Sequence, residues 1–338
     1  MIDLRSDTVT RPTPAMLKAM INAEVGDDVF GEDPTINRLE AKAAEMFGME
    51  AGLFCPSGTM TNQIAIKLHT QPGDEIICHE YSHIYNYEGG GLAFNSGCQT
   101  RLLKGDRGFM NAADVEANIG NPDDVHAART SLVSVENTVN KGGGSCYDLG
   151  TLKEIEAVAR KHKLAYHVDG ARIFNALVAK KQNASDYGKI FDTISICLSK
   201  GLGCPVGSVL LGSKDAIKEG KRIRKKFGGG MRQAGFLASA GIYALDNHIS
   251  RLEEDHAKAK QLKVALENCS WVERVEPVET NIVIFYLKKG KEQNIFLQKL
   301  KDCSILATGM GQGKLRFVTH LDVTVNQINQ VANVLEKM

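Results

Sequence analysis

Six short apolar runs, Ala51 to Phe54, Glu75 to Cys78, Ser131 to Glu136, Leu164 to Asp169, Thr193 to Cys197 and Val206 to Leu211, recur with helix-compatible segments between them. No other feature of the chain constrains its fold as tightly. Strands of this kind are covered on both faces, and strands alternating with helices pack as an α/β fold around a mostly parallel sheet. The intervening segments carry helix signals. Asp33 before Pro34 is an N-cap followed by proline at the first helical position; Ile36, Leu39, Ala43, Met46 and Phe47 then share one face, and Gly48 predicts the end. A second helix is predicted from Thr151 to Lys163, leading directly into the strand at 164–169.

At 338 residues the chain exceeds the size at which one hydrophobic core stops growing, so a large domain followed by a smaller one is expected. From Gly235 to about Asn268 the pattern reads as one long helix, and the boundary is placed inside it. That gives a large domain of residues 1–250, including an N-terminal segment 1–13, and a small domain of 251–338. The small domain reads as α+β. It has strands at Asn281 to Leu287 and Lys314 to Thr319, a helix at Gln293 to Lys301, and a terminal helix with Val325, Ile328, Val331, Ala332 and Leu335 as its apolar stripe.

Charge narrows the partners. With 41 Lys and Arg against 40 Asp and Glu, the chain has no nucleic-acid footprint, and the basic run Lys221 to Lys226 reads as a solvated helix face. No apolar run approaches the ~18 residues needed to span a bilayer, and the opening MIDLRSDTVTRPTP lacks the apolar core of a signal peptide. The eight cysteines are dispersed, with no C-x-x-C pair, and read as reduced core residues of a cytoplasmic protein.

Three features can carry chemistry. His79-Glu80-Tyr81-Ser82-His83 matches the H-E-x-x-H zinc pattern, which works only on a helix; here it follows a strand, so no metal site is expected. Pro56-Ser57-Gly58-Thr59 opens a helix after a strand, where free amides and the helix dipole can hold an anion. His167-Val168-Asp169-Gly170-Ala171-Arg172 and Ser199-Lys200-Gly201 each follow a strand, the sheet edge at which α/β folds bind ligands. Together these supply a lysine for a Schiff base, a carboxylate for a pyridinium nitrogen and a phosphate cradle, the parts that pyridoxal phosphate requires.

At the level of whole segments the chain resembles the low-specificity L-threonine aldolases, fold-type-I pyridoxal-phosphate enzymes related to the aromatic amino acid β-eliminating lyases. The resemblance lies in DLRSDTVTRPT, GDDVFGEDPT at 26–35, PSGTMTNQ at 56–63, HVDGARIFNA at 167–176, SICLSKGLGCPVGS at 195–208, GGGMRQAG at 228–235 and RFVTHLDV at 316–323. It implies a large, mostly parallel seven-stranded sheet domain, a small C-terminal domain, and retro-aldol cleavage of β-hydroxy-α-amino acids to glycine and an aldehyde. It also implies a homotetramer built as a dimer of dimers.

By the same resemblance Lys200 bonds the cofactor, Asp169 pairs with its ring nitrogen and His83 stacks on the opposite face. Gly58 and Thr59 hold the phosphate, joined by Arg232 from a neighbouring subunit, and Arg172 also contacts the cofactor. Ser6, Arg172 and Arg316 match the positions that bind the substrate carboxylate. His83 is the first candidate for the base at the β-hydroxyl, His126 the second; Glu88 orients a catalytic water and Tyr87 comes from the partner subunit. Cys204 reads as packing, and the Gly-rich stretch Asn140 to Ser145 has no assigned role. Related enzymes perform β-elimination or racemisation, and a zinc protease or a catalytically idle amino-acid binder are the readings from other classes.

Overall fold

A computed structural model describes all 338 residues. Its centre is a seven-stranded sheet in the order Ala51–Cys55, Ser208–Gly212, Thr193–Cys197, Ala165–Gly170, Thr130–Glu136, Glu75–His79, Gln99–Leu103. Only Ser208–Gly212 runs against the others, pairing antiparallel on both sides. The buried strands match the apolar runs to within one or two residues. The edge strand Gln99–Leu103 has no counterpart among the sequence expectations, because its QTRLL is half exposed and too polar to stand out.

Local chemistry explains the elements that flank the site. Asp33 caps the helix Pro34–Phe47 by accepting from the amides of Thr35 and Ile36, and its second oxygen accepts from Gly235 at 2.9 Å. One side chain thus starts one helix and seats the beginning of another. A Cβ at Gly235 would meet that carboxylate at 2.4 Å, so the position admits no larger residue without displacing the cap. Gly48 ends the helix at φ 64°, in the left-handed region that glycine adopts without penalty.

The long helix expected over 235–268 is two helices, Gly235–Asn247 and Leu252–Glu267, broken at residues 248–251. No glycine or proline marks the break. His248 is buried there with Nδ1 bonded to Leu202 O at 2.7 Å, and Arg251 reaches Gly201 O and Asp255. The break therefore latches onto the loop after Lys200.

Beyond it, a four-stranded antiparallel sheet orders Thr308–Gly309, Lys314–Val318, Ile282–Leu287 and Val272–Val275, packed with helices Leu252–Glu267, Gln293–Asp302 and Val325–Glu336. Trp271, Phe285, Phe296 and Phe317 form its aromatic core. Residues 1–13 had been grouped with the large domain, but Ile2–Asp3 pairs in parallel with Ile305–Leu306, and Ile2 and Leu4 are buried in this second core. No helix is long and apolar enough to cross a membrane. All eight cysteines are free; seven are buried, and Cys303 alone is exposed.

In the basic run 221–226, Lys221, Arg222, Lys225 and Lys226 are exposed as a solvated face, and Arg224 is the exception. Arg224 is buried, paired with Asp28 at 2.6 Å and donating to Phe54 O at 2.6 Å. Removing one partner strands a buried charge. Asp28→Ala is therefore expected to destabilise the fold by about 3–5 kcal/mol, read as a lowered midpoint in chemical denaturation.

Candidate active site

The carboxyl ends of the central strands open into a cleft of about 450 Å³ whose walls include Ser6, His83, Arg172, Lys200 and Arg316. Lys200 follows the strand Thr193–Cys197, half buried, and its backbone oxygen accepts from Thr10 Oγ1 at 3.0 Å. Asp169 ends the neighbouring strand and is buried. One of its oxygens accepts from the amide of Ala171 and the other from Asn62 Nδ2 at 2.9 Å.

Asn62, in the helix Gly58–His69, is a hub that sequence reasoning missed. The same Nδ2 also donates to Glu88 Oε1 at 2.9 Å, so one amide joins two buried carboxylates. Its oxygen faces His167 Nε2 at 3.2 Å. Because both amide protons are committed to carboxylates, that oxygen must accept, which places the His167 proton on Nε2. Burial holds the His167 pKa down at about 4, in keeping with a neutral ring.

His83 opens the short helix His83–Asn86. Its Nδ1 is 2.9 Å from Glu88 Oε1, and Glu88 is fixed in turn by Gln63 at 2.7 Å. Donation from Nδ1 leaves Nε2 as the free nitrogen. Burial alone would lower the His83 pKa, but the Glu88 hydrogen bond and the charges of Asp169, Glu88 and Glu136 outweigh it, and the net shift is upward. Glu136 was read from sequence only as the end of a strand. It is buried and accepts from the amides of both His83 (2.7 Å) and Asn140 (2.8 Å). Burial, with Asp169 nearby, pushes its pKa up.

The two arginines differ from each other. Arg172 presents its Nε and Nη2 to Asp7 in a buried bidentate pair at 2.7 Å, which leaves Nη1, on the other edge of the guanidinium, with no protein partner beside the cleft that Arg172 lines. Burial would raise the Asp7 pKa, but Arg172, with Lys200 and Asn281 adding, holds it down at about 2. Arg316 has no acidic partner. It donates to Asn140 Oδ1 and Arg5 O, its Nε is buried without a partner, and burial followed by repulsion from Arg172 lowers its pKa to about 10. Asn140, from the Gly-rich stretch that had no assigned role, thus holds the arginine in place.

The remaining expected residues divide. Ser6 and Tyr87 line this cleft, Tyr87 within the same chain rather than from a partner, its ring tilted 5.5 Å from His83. Glu88 bonds His83 Nδ1 at 2.9 Å. His126 is exposed in a surface turn, its amide on Asp124, and Arg232 is exposed and paired with Asp27; neither lines the cleft. The zinc reading fails on geometry. His79 accepts from Tyr81 N and faces Gly105 O, so both its nitrogens are engaged. His83, Glu88 and Asp169 lie within 4.8 Å of one another, but the Asn62 amide fills the gap between the two carboxylates, where a cation would sit.

Pyridoxal phosphate fits what is present. The amides of Gly58 and Thr59 at the start of their helix donate to no protein group. Beside Gly58, Ser208 Oγ is buried without a hydrogen-bond partner, 3.4 Å from where a Cβ on that glycine would stand. A phosphate would satisfy all three, with Asp169 placed for the ring nitrogen and Lys200 for the aldehyde carbon.

The family profile described as Beta-eliminating lyase matches residues 3–290. The low specificity L-threonine aldolase of Escherichia coli K12 is 44% identical over 335 residues, covering 98% of this chain and 97% of that one. Low-specificity L-threonine aldolase 1 of Arabidopsis thaliana is 40% identical over 334 residues, covering 97% and 93%. Among solved structures, Leishmania major threonine aldolase superposes with a TM-score of 0.85 at 22% identity, covering 100% and 99%. A serine palmitoyltransferase variant from S. paucimobilis with bound PLP superposes with 0.76 at 17%, covering 99% and 86%. The fold is that of the fold-type-I pyridoxal-phosphate enzymes, and the chain belongs to the Beta-eliminating lyase family and, within it, to the low-specificity L-threonine aldolases.

Proposed function

We propose that this chain cleaves L-threonine and L-allo-threonine, and β-hydroxy-α-amino acids like them, to glycine and an aldehyde with pyridoxal phosphate as cofactor. When bound, that cofactor supplies an aldehyde for the substrate amine and a protonated ring that withdraws electrons from the α-carbon. Asp169 would hold the ring nitrogen, Gly58, Thr59 and Ser208 the phosphate, and Lys200 the aldehyde carbon.

Everything else is done by the chain's own side chains. Arg316, half-buried and without an acidic partner, binds the α-carboxylate, and fixing that group decides which bond at the α-carbon is presented for cleavage. Ser6 stands beside it. His83 carries the reading, because a positioned base at the β-hydroxyl is what this cleavage needs. Its Nδ1 proton is given to buried Glu88, so Nε2 takes the hydroxyl proton as the Cα–Cβ bond breaks. Glu136 holds the His83 and Asn140 backbones at one spacing, and so keeps the base and the carboxylate anchor in register.

We infer in addition that it works in the cytoplasm as a homotetramer, a dimer of dimers. Exposed Ile21, Phe30 and Phe236 on adjoining segments support an assembly. In it, His126 and Arg232, which stand outside this chain's own cleft, act across a subunit boundary.

Incubating the cofactor-loaded protein with each threonine diastereomer is expected to release glycine and acetaldehyde in equal amounts. Ammonia with an oxo acid would mean β-elimination and overturn the reading. Because His83 must be neutral to act and its pKa is raised, the acid limb of kcat/KM is expected above the ordinary histidine value of about 6.5. His83→Asn should remove that limb.

A further inference from the structure

Threonine brings one negative group to this cleft, and Arg316 is enough to meet it. Yet the wall carries one more cation, Lys141, with a second, Lys314, standing behind it. Lys141 Nζ lies 5.1 Å from the ring centre of Tyr81 and 5.9 Å from that of Tyr87, which itself leans on His83. Lys141 makes no ion pair. Lys314 stands two residues before Arg316 on the strand Lys314–Val318, hence on the same face, with Nζ 6.0 Å from the Tyr81 ring and 3.4 Å from Lys141 O.

Glu276 acts on Lys314 and is shared with Arg274 at 3.4 Å. Burial, above all, lowers the Lys314 pKa, with Glu276 opposing and Lys141 and Arg274 adding to the shift. Lys141 lines the same cleft as Arg316, His83 and Tyr87, so a cation without an ion-pair partner stands on that wall in addition to the guanidinium that meets the α-carboxylate.

We propose that the cleft takes β-hydroxy-α-amino acids bearing a second anionic group on the β-carbon, with Lys141 and Lys314 receiving that group while Arg316 holds the α-carboxylate. This rests on the aldolase reading and names a substrate class for it. With 3-hydroxyaspartate the Cα–Cβ bond breaks, its electron pair stays on Cα and takes up a proton to give glycine. The hydroxyl proton leaves to His83, and the β-carbon becomes the aldehyde of glyoxylate, with no net oxidation or reduction.

The test compares 3-hydroxyaspartate with 3-hydroxyasparagine, its neutral near-isostere, in the wild type, Lys141→Met, Lys314→Met and the double variant, with L-threonine as control. The wild type is expected to favour the acid. The acid-to-amide ratio of kcat/KM should fall about threefold to tenfold in the double variant and also at high salt, while threonine cleavage stays within about twofold. A wild type that cleaves the amide as well as the acid, or a ratio unchanged in the double variant, overturns the proposal. Absence of threonine cleavage in the wild type instead overturns the aldolase reading beneath it.

Discussion

Lys200→Ala is expected to lower kcat on threonine by on the order of 10³- to 10⁴-fold, with the thermal midpoint little changed. The two halves of that expectation have separate grounds. Lys200 Nζ makes no hydrogen bond or ion pair to the protein, so the fold loses no contact when it is removed. The loop itself is held through its backbone: Thr10 bonds the Lys200 carbonyl, Arg251 that of Gly201, and His248 that of Leu202. What disappears is the amine that Lys200 brings to the cleft. Borohydride reduction of the wild type followed by peptide mapping should place the cofactor on Lys200, and the variant should take no such label.

Arg316→Met is the second large effect. A guanidinium whose pKa has been lowered to about 10 by burial, then by Arg172, and whose Nε lacks a partner is poorly satisfied by the protein alone. A substrate carboxylate completes it, and losing such a buried charged pair costs about 2–5 kcal/mol, or roughly thirtyfold to several thousandfold in kcat/KM. Lysine should rescue little, since it cannot offer two parallel N–H bonds. Arg172→Lys should behave differently. One edge of its fork is bonded to Asp7, so that change should unsettle the junction around Asp7 as well as turnover. Measuring KM and thermal midpoint side by side separates the two arginines.

What sequence revealed and what it concealed follow from the range of the interactions. Strand runs, the Asp33 cap and the Gly48 stop are written in neighbouring residues, and the loops carrying Lys200 and Asp169 follow from them. Asn62 was invisible because its partners lie 26 and 107 residues away, and nothing local marks an asparagine inside a helix as a hub. Ser208 and Glu136 were hidden in the same way, as ordinary strand-end residues. The Asp7 partner of Arg172 was equally hidden, 165 residues upstream. The break at residues 248–251 carries no glycine or proline; it is imposed by the bonds His248 and Arg251 make to the lysine loop, which only the folded chain contains.

The Asp7 junction also bears on how the protein comes into being. Asp7 grips Arg172 and accepts from Asn281, Arg5 O accepts from Arg316, and Ile2 pairs with Ile305. Residues 2–7 are therefore bonded to segments that are synthesised as much as 311 residues later. Until residues 281–318 have been made, the N-terminal strand has no place to dock, and Arg316 is absent from the cleft. The large sheet can form during synthesis, but the carboxylate anchor cannot, so catalytic competence is expected to arise in one late step. A half-made chain would then carry its lysine without the means to select a substrate for it.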